Sequence, residues 1–410
     1  MTHAPFNPQP ASGPIEVSFV MPCLNEAETI QRCVAAAFKC IAAHNLSAEV
    51  IVADNGSTDG SQELARTAGA RVLDVPVRGV GAAIMAGAEA ARGRFIIMGD
   101  SDLQHDFAAC YPFVEKLREG KWDLVMGTRL KGTIMPGSMR TLNRYLGNPL
   151  LSFVGRLLFR APVSDFHCGL RAFTRETFRD LNLRTIGFEF TTEHIAKSSL
   201  RRLRITEIPI TVYPEGRSRA PHLRPFNDGW RTLRFMLLLS PRWTLAFPGL
   251  ALLAAGLVIS MLVAAKPFFF SGGFGVDIHS LVLGCMMILV GYTAFTIGAA
   301  ARIYAIQQEI GPPSPYAQRV LGLFTLERGL IAGAIMLILG LALVGRLGWL
   351  AITVHLQPEQ VRQTMRPMII GSTLIALGVQ TGLMSFFYSM LGVQHKARPH
   401  TGSGAPGRQL

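Results

Sequence analysis

The chain has 410 residues, 49% hydrophobic and 16% charged, with a formal net charge of +13. That is too apolar for one ordinary soluble domain and long enough for two bodies, one of them in lipid. The charge suits anionic partners, whether nucleic acid, acidic headgroups or phosphorylated substrates; the six cysteines, with neither C-x-x-C pairing nor Cys/His ligand spacing, support neither a zinc site nor a disulfide framework and read as reduced, buried thiols.

In chain order, Met1 to Pro14 reads as a disordered tail rich in proline and small polar residues. It lacks the charged-then-apolar run of a signal peptide, so the body that follows is expected in the cytoplasm. From Val17 to about Tyr213 short β-rich runs alternate with helical stretches, the pattern of an α/β domain, spanning 15–226, with a mostly parallel sheet covered by helices. The expected strands are Val17–Met21, Val50–Ala53, Arg71–Val75, Phe95–Met98 and Leu124–Met126. Ser138–Arg160 and Asn227–Ser240 mix arginines with Leu, Phe, Met and Trp at helical spacing. They read as amphipathic helices in the headgroup region, the second within a juxtamembrane segment at 227–243. Packing of each apolar stripe on the domain itself is the other reading. Beyond Pro241, apolar spans at about Thr244–Ala265, Ser280–Ala301, Gly329–Trp349 and Met368–Leu391 each approach the roughly 20 residues needed to cross a bilayer. They give an all-α transmembrane domain of four helices over 244–394, followed by a disordered tail over 395–410. Arg302, Arg319 and Arg328 in one loop, with Lys396 and Arg398 in the tail, favour cytoplasmic termini; Arg362 and Arg366, in the last external loop, count against them.

In open α/β sheets ligands bind beyond the C-terminal strand ends, and three of these strands run straight into polar clusters. The first corner is Met21-Pro22-Cys23-Leu24-Asn25-Glu26, where a strand breaks at Pro22 and a helix starts near Glu26. The second, Ala53-Asp54-Asn55-Gly56-Ser57-Thr58-Asp59-Gly60, offers turn formers and short acceptors able to hold a nucleoside. Taken singly, each is also what a tight turn with a helix cap looks like. The third is Gly99-Asp100-Ser101-Asp102-Leu103-Gln104, in which Asp100, Asp102 and Gln104 alternate and in extended geometry emerge on one side. Three oxygen ligands there suit Mg²⁺ or Mn²⁺, an ion that a diphosphate leaving group needs.

The segments P-C-L-N-E, D-N-G-S-T-D-G and D-S-D-L-Q, in that order, resemble the family 2 glycosyltransferases of the GT-A fold, close to the dolichol-phosphate mannose synthase and polyprenyl-phosphate glycosyltransferase group. The resemblance covers roughly Val17 to Ser240. It implies that Pro22, Leu24, Asn25, Glu26, Asp54, Asn55, Ser57, Asp100, Ser101 and Asp102 hold the nucleotide-sugar, and that Asp100, Asp102 and Gln104 carry the metal. Asn55 stands where the family often has a second acid. Gly79-Val80-Gly81, with Gly87 and Gly93, resembles the family's glycine-bearing helix near the nucleotide; it is no dinucleotide fingerprint, and close packing of a helix on the sheet accounts for it.

A phosphate monoester is already anionic at neutral pH, so as an acceptor it needs no general base, only cations such as arginine forks to grip it. The candidates are Arg129 in Gly127-Thr128-Arg129, Arg140 and Arg144 on the first amphipathic segment, and Arg217 and Arg219 after the last strand-like run. Arg129, Arg140 and Arg217 join Asp102 in the expected catalytic set. Asp165–Arg171 and Gly187–Glu193 also resemble segments at the family's acceptor end, and His167 with Cys168 has no matched base for thiol chemistry. The expected activity is inverting, metal-dependent transfer of a hexose from a UDP- or GDP-sugar to polyprenyl phosphate at the cytoplasmic membrane face. Membrane lipid, but no nucleic acid, is the further expected partner, and a homo-oligomer is compatible with it.

Two other readings compete. A processive synthase or a transferase onto a glycerolipid or sphingolipid is opposed by Thr192-Glu193-His194 and Ser240-Pro241-Arg242-Trp243, which depart from the Thr-Glu-Asp and Gln-x-x-Arg-Trp motifs, although Glu193 could serve a hydroxyl acceptor as base. A lipid-linked-sugar translocator with a regulatory soluble part is opposed by the intact acidic motif and by spans with little charge.

Overall fold

The structure is a computed structural model and describes residues 13–218, 225–264, 267–269, 275–307, 325–354 and 358–396. Arg219, Arg319, Arg398 and most of both expected tails lie outside the described residues. The chain divides into two compact units, Met1–Leu238 and Leu239–Leu410.

In the first unit β1 (Val17–Cys23), β2 (Ala48–Asp54), β3 (Arg71–Asp74), β4 (Phe95–Met98), β5 (Leu124–Ile134), β6 (Arg171–Thr174) and β7 (Ile205–Val212) form one sheet in the order β3-β2-β1-β4-β6-β5-β7. The pairs β1–β2, β2–β3, β1–β4 and β5–β7 are parallel, and β6 runs antiparallel to both β4 and β5. The five expected strands are present, and every residue of β1 is buried because helices cover both of its faces. Two further strands complete the sheet. β6 is four residues long and opens on a charged residue, Arg171; β7 carries Glu207 and Pro209 and lies at the edge, where proline is tolerated.

The helices of this unit are α1 (Ile30–Ala43), α2 (Ser61–Thr67), α3 (Val80–Ala90), α4 (Tyr111–Arg118), α5 (Asn148–Phe159), α6 (Arg175–Leu181), α7 (Phe190–Leu200) and α8 (Pro225–Leu238). α1 buries Ile30, Cys33, Val34, Ala37, Phe38 and Cys40, a stripe at helical spacing, in a core shared with Phe19, Met21, Phe95, Phe107 and Phe113. The glycines around α3 are set by close packing. A Cβ on Gly87 would lie 2.5 Å from Val20 Cγ1, and one on Gly81 2.3 Å from Thr185 O. The latter contact is with the segment before α7, not with the sheet.

The stretch expected as the first amphipathic helix forms a wide turn at Asn143–Gly147 followed by α5. Its inner face, Ser152, Gly155, Leu158 and Phe159, is buried, with Gly155 against the Phe166 ring. Leu142, Leu146, Leu150, Phe153 and Leu157 remain exposed at steps of three and four, as do Phe226, Trp230 and Leu238 of α8. Packing on the domain and an uncovered apolar stripe thus coexist.

The second unit holds α9 (Phe247–Val263), α10 (Ile278–Gln307), α11 (Leu326–Val354) and α12 (Pro358–Lys396). Four stretches, Arg242–Val263, Ile278–Gln307, Leu326–Thr353 and Thr364–Leu391, are long and apolar enough to cross a membrane. Glycines bring the helices together in pairs, Gly256 against Gly284 between α9 and α10 and Gly340 against Gly371 between α11 and α12, as small residues do where lipid gives no hydrophobic drive. The loop expected around Arg362 and Arg366 is instead helical, because α12 runs on through Pro367, and Arg366 pairs with Asp277.

Candidate active site

β1 and β2 end side by side, with Cys23 opposite Asp54, and β4 flanks β1 with Met98 opposite Val20. The three polar corners therefore share one rim. Ser101 donates its hydroxyl to Pro22 O at 2.6 Å and ties the third corner to the first.

The first two corners are laced together. Asn25 adopts a left-handed backbone, φ 57°, and its side-chain oxygen accepts the Thr58 N–H at 2.8 Å. The N–H groups of Asn25 and Glu26 donate to the hydroxyls of Ser57 and Ser61, each at 2.8 Å. Asp54 accepts from the N–H groups of Gly56 and Ser57 at 2.9 Å and from Gln62 Nε2 at 2.7 Å. Burial pushes its carboxyl up, but the Ser57, Gln62 and Gly56 donors outweigh burial and hold it below the usual carboxylate range. The Asn55 amide is committed to the chain, accepting from Gly79 N–H at 3.0 Å and donating to Val75 O and Val77 O at 3.2 and 2.9 Å. Asn55, Asp54 and Ser57 thus fix the turn that follows β2. A cleft of about 430 Å³ opens between Asn25–Glu28, Thr58, Asp59 and Arg217.

At the third corner the extended geometry expected from the alternation does not occur. β4 ends at Met98, Leu103 turns left-handed with φ 68°, and Asp102 Oδ1 accepts the Gln104 N–H at 3.0 Å. Gln104 Nε2 points at Ser138 O (3.3 Å) and Glu215 Oε1 (3.5 Å), while its Oε1 accepts no hydrogen bond among the described residues. Burial and the Asp100 carboxylate push Asp102 up to about 6. Two carboxylates that repel each other at a sheet edge fit a divalent cation, and Mg²⁺ or Mn²⁺ needs few protein ligands because phosphate and water complete its shell. Among the described residues no three His, Cys, Asp or Glu side chains form a fuller cage. Gly169 makes room for the pair, since a Cβ there would lie 2.5 Å from Asp100 Oδ2.

Two neighbours of this corner lie outside the three motifs read from the sequence. His105 is buried with Nδ1 3.9 Å from Asp100 Oδ2, and burial pushes the imidazole down to about 4, which keeps it neutral. Glu215 sets its Oε2 2.7 Å from Arg217 Nε; its adjacency to Arg217 in Pro214-Glu215-Gly216-Arg217 is the one hint.

The arginines separate. Arg217 reaches into the rim, 2.8 Å from Glu26 and 3.6 Å from Asp102. Arg129 is gripped by Asp165 through Nε–Oδ2 (2.7 Å), Nη2–Oδ1 (2.8 Å) and its backbone N–H (3.1 Å), and Nη1 makes no hydrogen bond among the described residues. Arg140 and Arg144 are exposed, Arg144 lying 5.3 Å over the Tyr145 ring. Glu193 is locked by Lys197 Nζ at 2.8 Å and by the N–H groups of Arg184 and Thr185 at 3.0 and 2.8 Å, so it is not poised as a base. Burial pushes the Cys168 thiol up to about 12, far from a thiolate.

A mixed sheet of this order, with an acidic corner at the rim of its parallel strands and a helical membrane unit following it, defines a membrane glycosyltransferase of the GT-A fold. Residues 18–181 match Glycosyl transferase family 2, and residues 299–392 match the Glycosyltransferase family 2 C-terminal transmembrane region. The low-salt glycan biosynthesis hexosyltransferase Agl6 of Haloferax volcanii is 33% identical over 378 residues, 92% of this chain and 89% of that protein. The dolichyl-phosphate hexose transferase of the same organism is 32% identical over 183 residues, 44% of this chain and 76% of that protein. Glucosyl-3-phosphoglycerate synthase from Mycobacterium tuberculosis, solved with Mn²⁺, UDP and glucosyl-3-phosphoglycerate, is 24% identical with a TM-score of 0.43, over 54% of this chain and 79% of that one. The chain belongs to glycosyltransferase family 2.

Proposed function

We propose that this enzyme moves a hexose from a nucleotide-sugar to a polyprenyl phosphate at the cytoplasmic membrane face, with inversion at the anomeric carbon. The observation that carries the reading is the acidic pair Asp100 and Asp102 at the rim, with Arg217 3.6 Å from Asp102 and lining a cleft walled by the first two corners. Pro22, Leu24, Asn25, Glu26, Asp54, Asn55, Ser57 and Ser101 build the nucleotide-sugar end, by contact or by holding the wall. Asp100, Asp102 and the Gln104 oxygen would hold Mg²⁺ or Mn²⁺, which supplies charge neutralisation at the leaving diphosphate.

With Glu193 locked, an acceptor that is already ionised fits better than a hydroxyl. A phosphate oxygen attacks the anomeric carbon opposite the diphosphate; the new C–O bond forms as the bond to the diphosphate breaks. Arg129 through Nη1, with Arg140, Arg144 and Arg219, draws that phosphate in, and the exposed stripes of α5 and α8 lie in the headgroups. In this reading 15–226 serve catalysis, 227–243 lie at the membrane surface and 244–394 cross the bilayer. The likeness to the dolichyl-phosphate hexose transferase supports this acceptor class.

The test is transfer of label from UDP- and GDP-hexoses by the full-length protein with Mg²⁺ or Mn²⁺. Polyprenyl phosphate is expected to be labelled, and Asp102→Ala to abolish the transfer. Labelled diacylglycerol with inert polyprenyl phosphate would refute the proposal.

A further inference from the structure

Arg217 occupies a position that the transfer reaction alone does not explain. Its side chain is 12% exposed, and each of its three nitrogens faces a different carboxylate: Nη1 lies 2.8 Å from Glu26, Nε 2.7 Å from Glu215 and Nη2 3.6 Å from Asp102. The first two contacts are hydrogen bonds, whereas the third is too long to be one. Arg217 therefore acts on Asp102 through charge without being bound to it. The segment that carries it is fixed on both sides. Gly216 N–H donates to Asp102 O at 2.9 Å, Ser218 N–H donates to Glu28 Oε2 at 2.7 Å, and a Cβ on Gly216 would lie 2.4 Å from Leu103 Cδ1. The guanidinium also lines the cleft at the first two corners, within reach of any diphosphate held there.

A divalent ion on Asp102 and a guanidinium 3.6 Å from the same carboxylate repel each other. Resting on the assignment of Asp102 as a metal ligand, we propose that Arg217 is the internal counter-ion of the donor cleft: it competes with the divalent cation for Asp102 and passes to the diphosphate when metal and nucleotide bind together. Metal alone then binds weakly, nucleotide strengthens it, and by linkage metal strengthens nucleotide by the same factor.

The experiment measures Mn²⁺ binding to the full chain in detergent by the electron paramagnetic resonance of free Mn²⁺, first alone and then with UDP or GDP. Arg217→Gln is expected to bind Mn²⁺ alone about tenfold tighter than the unmodified protein, and to bind nucleoside diphosphate more weakly, because one repulsion and one attraction are both removed. Arg217→Lys keeps the charge and is expected to bind Mn²⁺ alone within about twofold of the unmodified protein while still losing the fork on the diphosphate. A merely structural arginine would weaken both ligands in both variants, and that result overturns the proposal. So does an Arg217→Gln protein that binds Mn²⁺ no tighter while Asp102→Asn abolishes binding, an outcome that leaves the metal assignment standing. If Asp102→Asn keeps full Mn²⁺ affinity, or if no form binds Mn²⁺ even with nucleotide, the metal assignment and the proposal fall together.

Discussion

Replacing Asp165 by asparagine is expected to loosen one side of the catalytic unit and leave the other intact. The Asp165 side chain is wholly buried and the Arg129 side chain is 15% exposed. Asparagine keeps the volume but removes the charge, and it can present an N–H where Arg129 requires an acceptor. Arg129 is then left as a buried charge without its counter-ion, a defect that costs about 3–5 kcal/mol. At about 1.4 kcal/mol per factor of ten, local opening rises by roughly two to three and a half orders of magnitude. Hydrogen exchange read by mass spectrometry on the full chain should show this in β5 and in residues 163–170, while β1 and β2 keep their protection. The charge explanation makes a second demand. Adding Arg129→Met to Asp165→Asn removes the stranded cation and should restore much of the protection, because two apolar or neutral partners are tolerated where half an ion pair is not. A double variant as open as the single one, or a loss spread evenly over the sheet, would refute the reasoning.

Asp165 also sets a pH dependence. Burial pushes its carboxyl up, but Arg129 outweighs burial and holds it below the usual range; the pair thus stabilises above the unfolded value of about 3.9 and is lost as pH falls through the folded one. Acid unfolding below about pH 4 should therefore be shallower in Asp165→Asn than in the unmodified protein. Glu193→Gln breaks a buried pair with Lys197 and should lower the thermal midpoint by about 6–12 °C. Transfer to polyprenyl phosphate per folded molecule should stay within about threefold; a loss beyond about a hundredfold at an unchanged midpoint would make Glu193 a base after all. Gly81→Ala drives a Cβ to 2.3 Å from Thr185 O and 2.7 Å from Phe190 Cβ, an overpacking expected to cost about 1–3 kcal/mol in urea unfolding. Gly229→Ala on α8 meets nothing within 4 Å and should be near neutral.

What the sequence disclosed follows from where the physics is local. Strands buried on both faces spell continuous apolar runs, so β1, β2 and β4 and the corners after them could be located in the chain, and the membrane helices announce themselves by length and apolar composition. β6 could not be found this way. It opens on Arg171, a charged residue with no surface exposure, held there because carbonyls of Cys168, Thr191 and Phe166 accept from its guanidinium. The alternation of Asp100, Asp102 and Gln104 misled for a different reason, since a left-handed leucine such as Leu103 leaves no mark in composition. The arginines are the sharper case. Residue type and position marked Arg129 and Arg217 as cations near the chemistry. What each does is fixed by carboxylates far along the chain, Asp165 at a separation of 36 residues and Glu26 at 191. A buried guanidinium changes role with its partner: Arg129, clasped on two nitrogens by one aspartate, is a fixed post, whereas Arg217, divided among three carboxylates and only loosely set against Asp102, can be drawn away by a stronger anion. A diphosphate is such an anion.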